Sequence, residues 1–95
     1  MSKERIMTLH PEEGKSGVNI SKQKYDVMHA AILKALEGKD EPTFNELGNA
    51  VGKQLEGNFD GSIGWYYTTV KLDLEARGVI ERVPGSRPQK IRLAK

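Results

Sequence analysis

The chain has 95 residues, with 15 Lys/Arg against 13 Asp/Glu and a net charge of +2, which suits one domain with a single modest core. It has no cysteine, so neither a disulfide framework nor a thiolate metal site can form. Its apolar runs are only a few residues long, too short for a signal-peptide core or a membrane span, and a soluble cytoplasmic protein is the expectation.

In residues 1–20, "RIMTL" is β-compatible, "HPEEGKSG" is loop-like and "VNI" could extend. The pattern predicts a loose arm or a short hairpin, pinned to the body by Ile6, Leu9, Val18 and Ile20. Ser21 is placed to cap a helix over "KQKYDVMHAAILKALE", where Tyr25, Met28, Ile32 and Leu36 recur at three and four, lining one face. Gly38 is a suitable C′ residue. After the linker "KDEP", Thr43 and Glu46 form a T-x-x-E capping box, followed by the stripe Phe44, Leu47, Val51 and Leu55. Gly48 and Gly52 interrupt this helix at about 1 kcal/mol each relative to Ala. Either another backbone approaches closely there, or the helix is short and marginal.

"GNFDGSIG" contains the glycines of a loop and lacks the lysine of a phosphate loop. A third helix is expected from about Ser62 to Arg77, ended by Gly78. Ile63, Tyr67, Val70 and Leu74 form its main apolar stripe, and Trp65, Thr69 and Leu72 form a second one on a different side. A helix apolar on two sides is wedged between partners or exposes a patch, and the arm is the nearest candidate to cover Trp65 and Leu72. "VIERV" and "QKIRLA" then alternate as half-buried strands do, joined through "PGSRP". They predict a β-hairpin with Val79, Val83, Ile91 and Leu93 inward.

Charge is unevenly spread. From Arg77 to Lys95 there are six basic residues and one acidic one, so this segment carries +5 and the rest −3. Three helices running into a β-hairpin, with Leu74, Glu75 and Gly78 in a Leu-Glu-x-x-Gly pattern, resemble a winged helix-turn-helix domain over about residues 21–95. The segment "TVKLDLEARGVIERV" also resembles the end of a group of small uncharacterised bacterial proteins, a likeness that supplies no function. The winged-helix resemblance implies an α+β fold: three helices, a C-terminal hairpin wing and, outside it, the arm of residues 1–20.

It also implies duplex DNA as partner and a role as an accessory transcriptional regulator, with helix three at the major groove and the wing on the backbone. Arg82, Arg87, Lys90 and Arg92 would contact phosphates, with Thr68, Thr69 and Lys71 on the groove-facing helix. Helix three has no cation before Lys71 and carries Asp73 and Glu75, which phosphates would repel, so base reading finds little support. A basic hairpin is also an ordinary device against strand pairing. Trp65, Tyr66 and Tyr67 could stack on bases, though aromatics at helical spacing are more often core. The alternative function is a protein-interaction module of the same fold, meeting a partner or a second copy through Trp65 and Leu72. A monomer or weak dimer is the economical reading.

Chemistry finds little to work with. His10 lies in "HPEE" and His29 in helix one, and nothing brings them together as metal ligands. Ser16, Ser21, Ser62 and Ser86 lack a nucleophile-elbow context, and Asp73 and Glu75, two apart on a helix, do not face each other. No catalytic constellation emerges, so an enzyme is not expected, and no cofactor is implied.

Overall fold

The computed structural model describes residues 4–37 and 41–94. Gly38, expected to end the first helix, and Lys95, the last basic residue, lie outside the described residues. The order is β1 (Arg5–Met7), β2 (Asn19–Ser21), α1 (Lys22–Glu37), α2 (Phe44–Leu55), α3 (Ile63–Ala76), β3 (Ile80–Arg82) and β4 (Ile91–Leu93). This is a small α+β domain with three helices and two antiparallel two-stranded sheets, β1–β2 and β3–β4.

The starts of α2 and α3 and the end of α3 lie where local chemistry requires. Thr43 caps α2 through its hydroxyl, which accepts from the Glu46 N–H at 3.1 Å, while the Glu46 carboxylate accepts from the Thr43 N–H at 2.9 Å, the reciprocal box read from the sequence. Ser62 caps α3 by accepting from the Trp65 N–H at 3.1 Å. At its far end, the Gly78 N–H bonds to the Glu75 carbonyl at 3.1 Å and the Val79 N–H to that of Leu74 at 2.9 Å. With Gly78 at φ +76°, this is a Schellman ending, which needs a residue free to turn left-handed.

The core lies where the three stripes meet. Met28, Ile32, Leu47, Val51, Val70 and Leu74 are all fully buried. α1 packs against both α2 and α3. Gly48 is a close-approach site of an unexpected kind: a Cβ there would come within 2.9 Å of the Tyr67 ring. The partner is thus a side chain, held by stacking on Phe44 and by its hydroxyl donating to the Phe44 carbonyl at 2.7 Å. Gly52 faces open space, so the close-approach reading applies to Gly48 alone.

The N-terminal segment is a hairpin, with Ile6 opposite Ile20. Ile20 belongs to the common core and Ile6 packs against it, so hairpin and helices share one apolar interior. The expected pins Leu9 and Val18 are corrected: their side chains are 43% and 39% exposed. Thr8 is buried instead, its hydroxyl donating to the Val18 carbonyl at 3.0 Å and accepting from the Val18 N–H at 2.8 Å. Leu9 is tied by its backbone, whose N–H donates to Asp73 at 2.8 Å.

The C-terminal hairpin pairs Ile80 with Leu93 and Arg82 with Ile91. Its inward residues are Ile80 and Ile91, both essentially inaccessible, while Leu93 is 45% exposed and Val79 and Val83 are half-buried. The expected inward set mixed the two faces. The Schellman ending consumes Val79, so β3 starts one residue later, and this shift puts Ile80 in place of Val79 and Val83 on the face that Ile91 and Leu93 share. At the tip, Pro84 precedes Gly85 at φ +74°, the residue order of a type II turn, and the Ser86 hydroxyl donates to the Val83 carbonyl at 2.8 Å. The other edge of β4 is also paired. Ile91 N–H bonds to the Pro42 carbonyl at 2.8 Å and Phe44 N–H to that of Gln89 at 2.9 Å, a bridge between Thr43 and Lys90. Among the described residues, no helix is long and apolar enough to cross a membrane.

Candidate nucleic-acid interface

Seven residues were expected to face a polyanion, and the fold separates them into five environments. Thr68 is exposed on α3 and lines an open groove between α2 and α3 with Asn45, Asn49, Gly48 and Gly64. Thr69, one residue on, turns about 100° away around the helix. It is half-buried and shares a cleft with Leu72 and the N-terminal hairpin. The two threonines therefore do not serve one surface.

Lys71 is corrected outright. Its side chain is 3% exposed, with Nζ donating to Gln89 Oε1 at 2.7 Å, paired with Glu75, and lying 5.1 Å from the Phe44 ring centroid. Burial lowers its pKa, opposed by the bond to Glu75. A lysine at this position of α3 points between the helices and the C-terminal hairpin, so its ammonium ties α3 to the hairpin and cannot reach a ligand.

The basic strip is largely neutralised from within. Arg82 Nε lies 3.1 Å from Glu75, which it shares with Lys71. Arg92 bonds to Glu81 across the strand pair and reaches Glu41 at 3.3 Å. The hydrogen bond it donates to Glu81 is the main reason its guanidinium is held still more firmly charged. Arg77 pairs with Asp73 at 2.9 Å. The continuous positive surface expected from the tail's composition is therefore absent among the described residues. Arg87 and Lys90 are the exception: both are exposed, and neither has an acidic partner among the described ion pairs.

The acids of α3, expected to repel phosphate, are turned inward. Asp73 is fully buried and accepts from the Tyr25 hydroxyl, the Leu9 N–H and Arg77 Nε. Glu75 is 6% exposed between two cations. Neither opposes a ligand at the groove.

Of the aromatic cluster, Tyr67 is buried in the core, Tyr66 is half-buried against Phe59 and beneath the Lys24 ammonium, and Trp65 is 48% exposed. Residues that the sequence reading passed over are Asn45 and Asn49. Their spacing of four on the amphipathic α2 places both amides on one face, beside Gly48, and that periodicity was available to find them. His10 accepts a local bond from the Glu12 N–H at 3.1 Å, and His29 stacks edge-on against Tyr25. Among the described residues, no group of three or more His, Asp or Glu side chains could hold a metal ion.

A family model described as a family of unknown function, DUF6958, matches residues 5–91. The chain belongs to DUF6958. No curated protein and no solved structure matches it. The DUF6958 match takes in the N-terminal hairpin, all three helices, β3 and the first residue of β4, so the Asp73 hub, the α2–α3 groove and the tip at Arg87 and Lys90 all fall within the family's span.

Proposed function

We propose that this DUF6958 protein is a winged helix-turn-helix module that binds duplex DNA weakly, with the tip of its C-terminal hairpin on the phosphate backbone. The observation that carries this reading is the position of Arg87 and Lys90. Among the described residues they are the cations of the hairpin without an acidic partner, on a segment that the Thr43–Lys90 bridge fastens to the start of α2. Beside that start lies the neutral groove of Asn45, Asn49 and Thr68. The bridge supports the winged topology too, since it sets the segment before α2 against the outer edge of the hairpin. The lack of a side chain at Gly64 and the small one at Thr68 let a phosphate or base edge approach α3, and the two amides can hydrogen-bond to either. The resemblance implies accessory regulation of transcription as the setting.

Titration of a labelled mixed-sequence duplex between about 25 and about 200 mM salt tests this. Each neutralised phosphate contributes about −0.9 to the slope of log K against log salt, so two contacts give a slope near about −2. Replacing Arg87 and Lys90 together by Ala should abolish the salt-sensitive binding. Absence of binding by the parent at the lowest salt would defeat the reading.

A second reading is favoured by one observation. Trp65 is 48% exposed and Leu72 is only half-buried, so the arm leaves part of the second stripe of α3 uncovered. A protein-interaction module would use that stripe, and its test is given in the Discussion.

A further inference from the structure

Lys90 and Arg92 are two apart on one strand segment, so they share a face, about 7 Å apart along the chain. That face is shared by the residue opposite Arg92 in register, Glu81. Arg92 donates through Nε to Glu81, and another of its nitrogens lies 3.3 Å from Glu41. One guanidinium thus has two carboxylates where one would neutralise it. Glu41 is the described non-glycine residue with a positive φ, +37°, a backbone conformation that L side chains resist, and from it the carboxylate reaches Arg92. Arg82 differs: the carboxylate it pairs with, Glu75, is shared with Lys71.

We propose that Glu81, backed by Glu41, competes within the chain for Arg92 and thereby sets how strongly the hairpin holds phosphate. This rests on the DNA reading above. All three side chains are about two-fifths exposed (41% for Arg92 and Glu81, 43% for Glu41), so water and a polyanion can reach them. A phosphate approaching Arg92 meets two carboxylates already in place, and like charge opposes it. Arg92 is consequently silent in binding, and the working surface is confined to Arg87 and Lys90. Neutralising Glu81 leaves Arg92 with one carboxylate, and neutralising both leaves it free to continue the row begun by Lys90. Glu81 is thus an affinity-determining residue whose removal strengthens binding, an effect that damage to the fold would not produce.

The experiment is the same duplex titration on four proteins: the parent, Glu81→Gln, the Glu41→Gln/Glu81→Gln pair, and Glu81→Gln with Arg92→Ala. Glu81→Gln should bind about fivefold tighter at the lowest salt, and the double variant should steepen the slope by about one phosphate equivalent, about 0.9. Arg92→Ala in the Glu81→Gln background should cancel the gain. As a control for net charge alone, Glu56→Gln lies at the opposite end of the 12-residue α2, about 18 Å from the Thr43 bridge, and should leave the slope unchanged. A parent that binds while Glu81→Gln gains nothing overturns this inference and leaves the DNA reading standing. An equal gain from Glu56→Gln overturns it as well. A parent that binds no duplex defeats both.

Discussion

The Leu9 N–H donates to the Asp73 carboxylate at 2.8 Å, joining the N-terminal hairpin to α3 across 64 positions of sequence. The same carboxylate, fully buried, accepts from the Tyr25 hydroxyl of α1 and from Arg77. One acid therefore fastens three elements, and two of its three donors, the Leu9 N–H and the Arg77 guanidinium, cannot accept a hydrogen bond in return. Asp73→Asn removes the charge opposite Arg77 and turns an amide N–H₂ toward other donors. Breaking a buried charged network of this kind costs about 3 kcal/mol. Urea unfolding should show that loss, with faster exchange of the Leu9 amide. A loss below about 0.5 kcal/mol, the scale of a neutral surface change, would contradict the hub.

Tyr25 gives the pH dependence. Burial, then its bond to Asp73, raises its pKa to about 12 from 10.0. The folded state keeps the phenolic proton that the unfolded chain loses above pH 10, so the stability it contributes is complete below pH 10 and is lost as pH climbs toward 12. The loss is on the order of 2 kcal/mol over that window. Lys71 acts in the opposite sense: its pKa is lowered by burial, so its penalty is relieved as pH rises toward the unfolded lysine value. Comparing the parent with Tyr25→Phe at pH 9, 10 and 11 isolates the tyrosine. The variant should be the flatter of the two.

The two glycines of α2 should respond with opposite signs. Gly52→Ala enters open space and gains helix propensity, about 1 kcal/mol of added stability. Gly48→Ala places a methyl 2.9 Å from the Tyr67 ring. That ring is held by Phe44, so overpacking should outweigh propensity and destabilise by about 1 kcal/mol or more. Thermal melts of both variants decide it, and equal stabilisation would mean that the ring yields freely.

Lys71 should be the last described lysine to react with acetic anhydride. Its side chain is 3% exposed, whereas Lys15 and Lys22 are 59% and 45% exposed. Mass spectrometry of partially labelled native protein should find Lys71 unmodified until unfolding. Early labelling would return it to the list of available cations.

Trp65 tests the protein-interaction reading. A side chain 48% exposed should give red-shifted emission that iodide quenches readily, and Trp65→Ser should change stability by no more than about 0.5 kcal/mol. A blue-shifted, protected tryptophan that turns red on dilution would show that copies of the chain cover it, in favour of that reading over the DNA one.

The elements were written in the sequence wherever the deciding interaction is local. The span of α1, the Thr43–Glu46 box and the Gly78 ending each depend on residues within about one helical turn, and periodicity and capping residues expose them directly. The candidate interface was not legible in that way. Composition counts Arg82, Arg92 and Lys71 as positive surface, but their charge is cancelled by Glu75, Glu81 and Glu41. Arg82 and Arg92 each have an acid from another element of the fold. Lys71 has its acid one turn away on α3 and its second partner, Gln89, on the hairpin. Asp73 looked like an exposed acid on a helix until α1 and the N-terminal hairpin closed over it. The sequence by itself determined how many charges there are and which segments are helix or strand; the tertiary structure alone decided which charges face water, because Coulomb energy depends on distance in space and on burial, and neither is set by position along the chain.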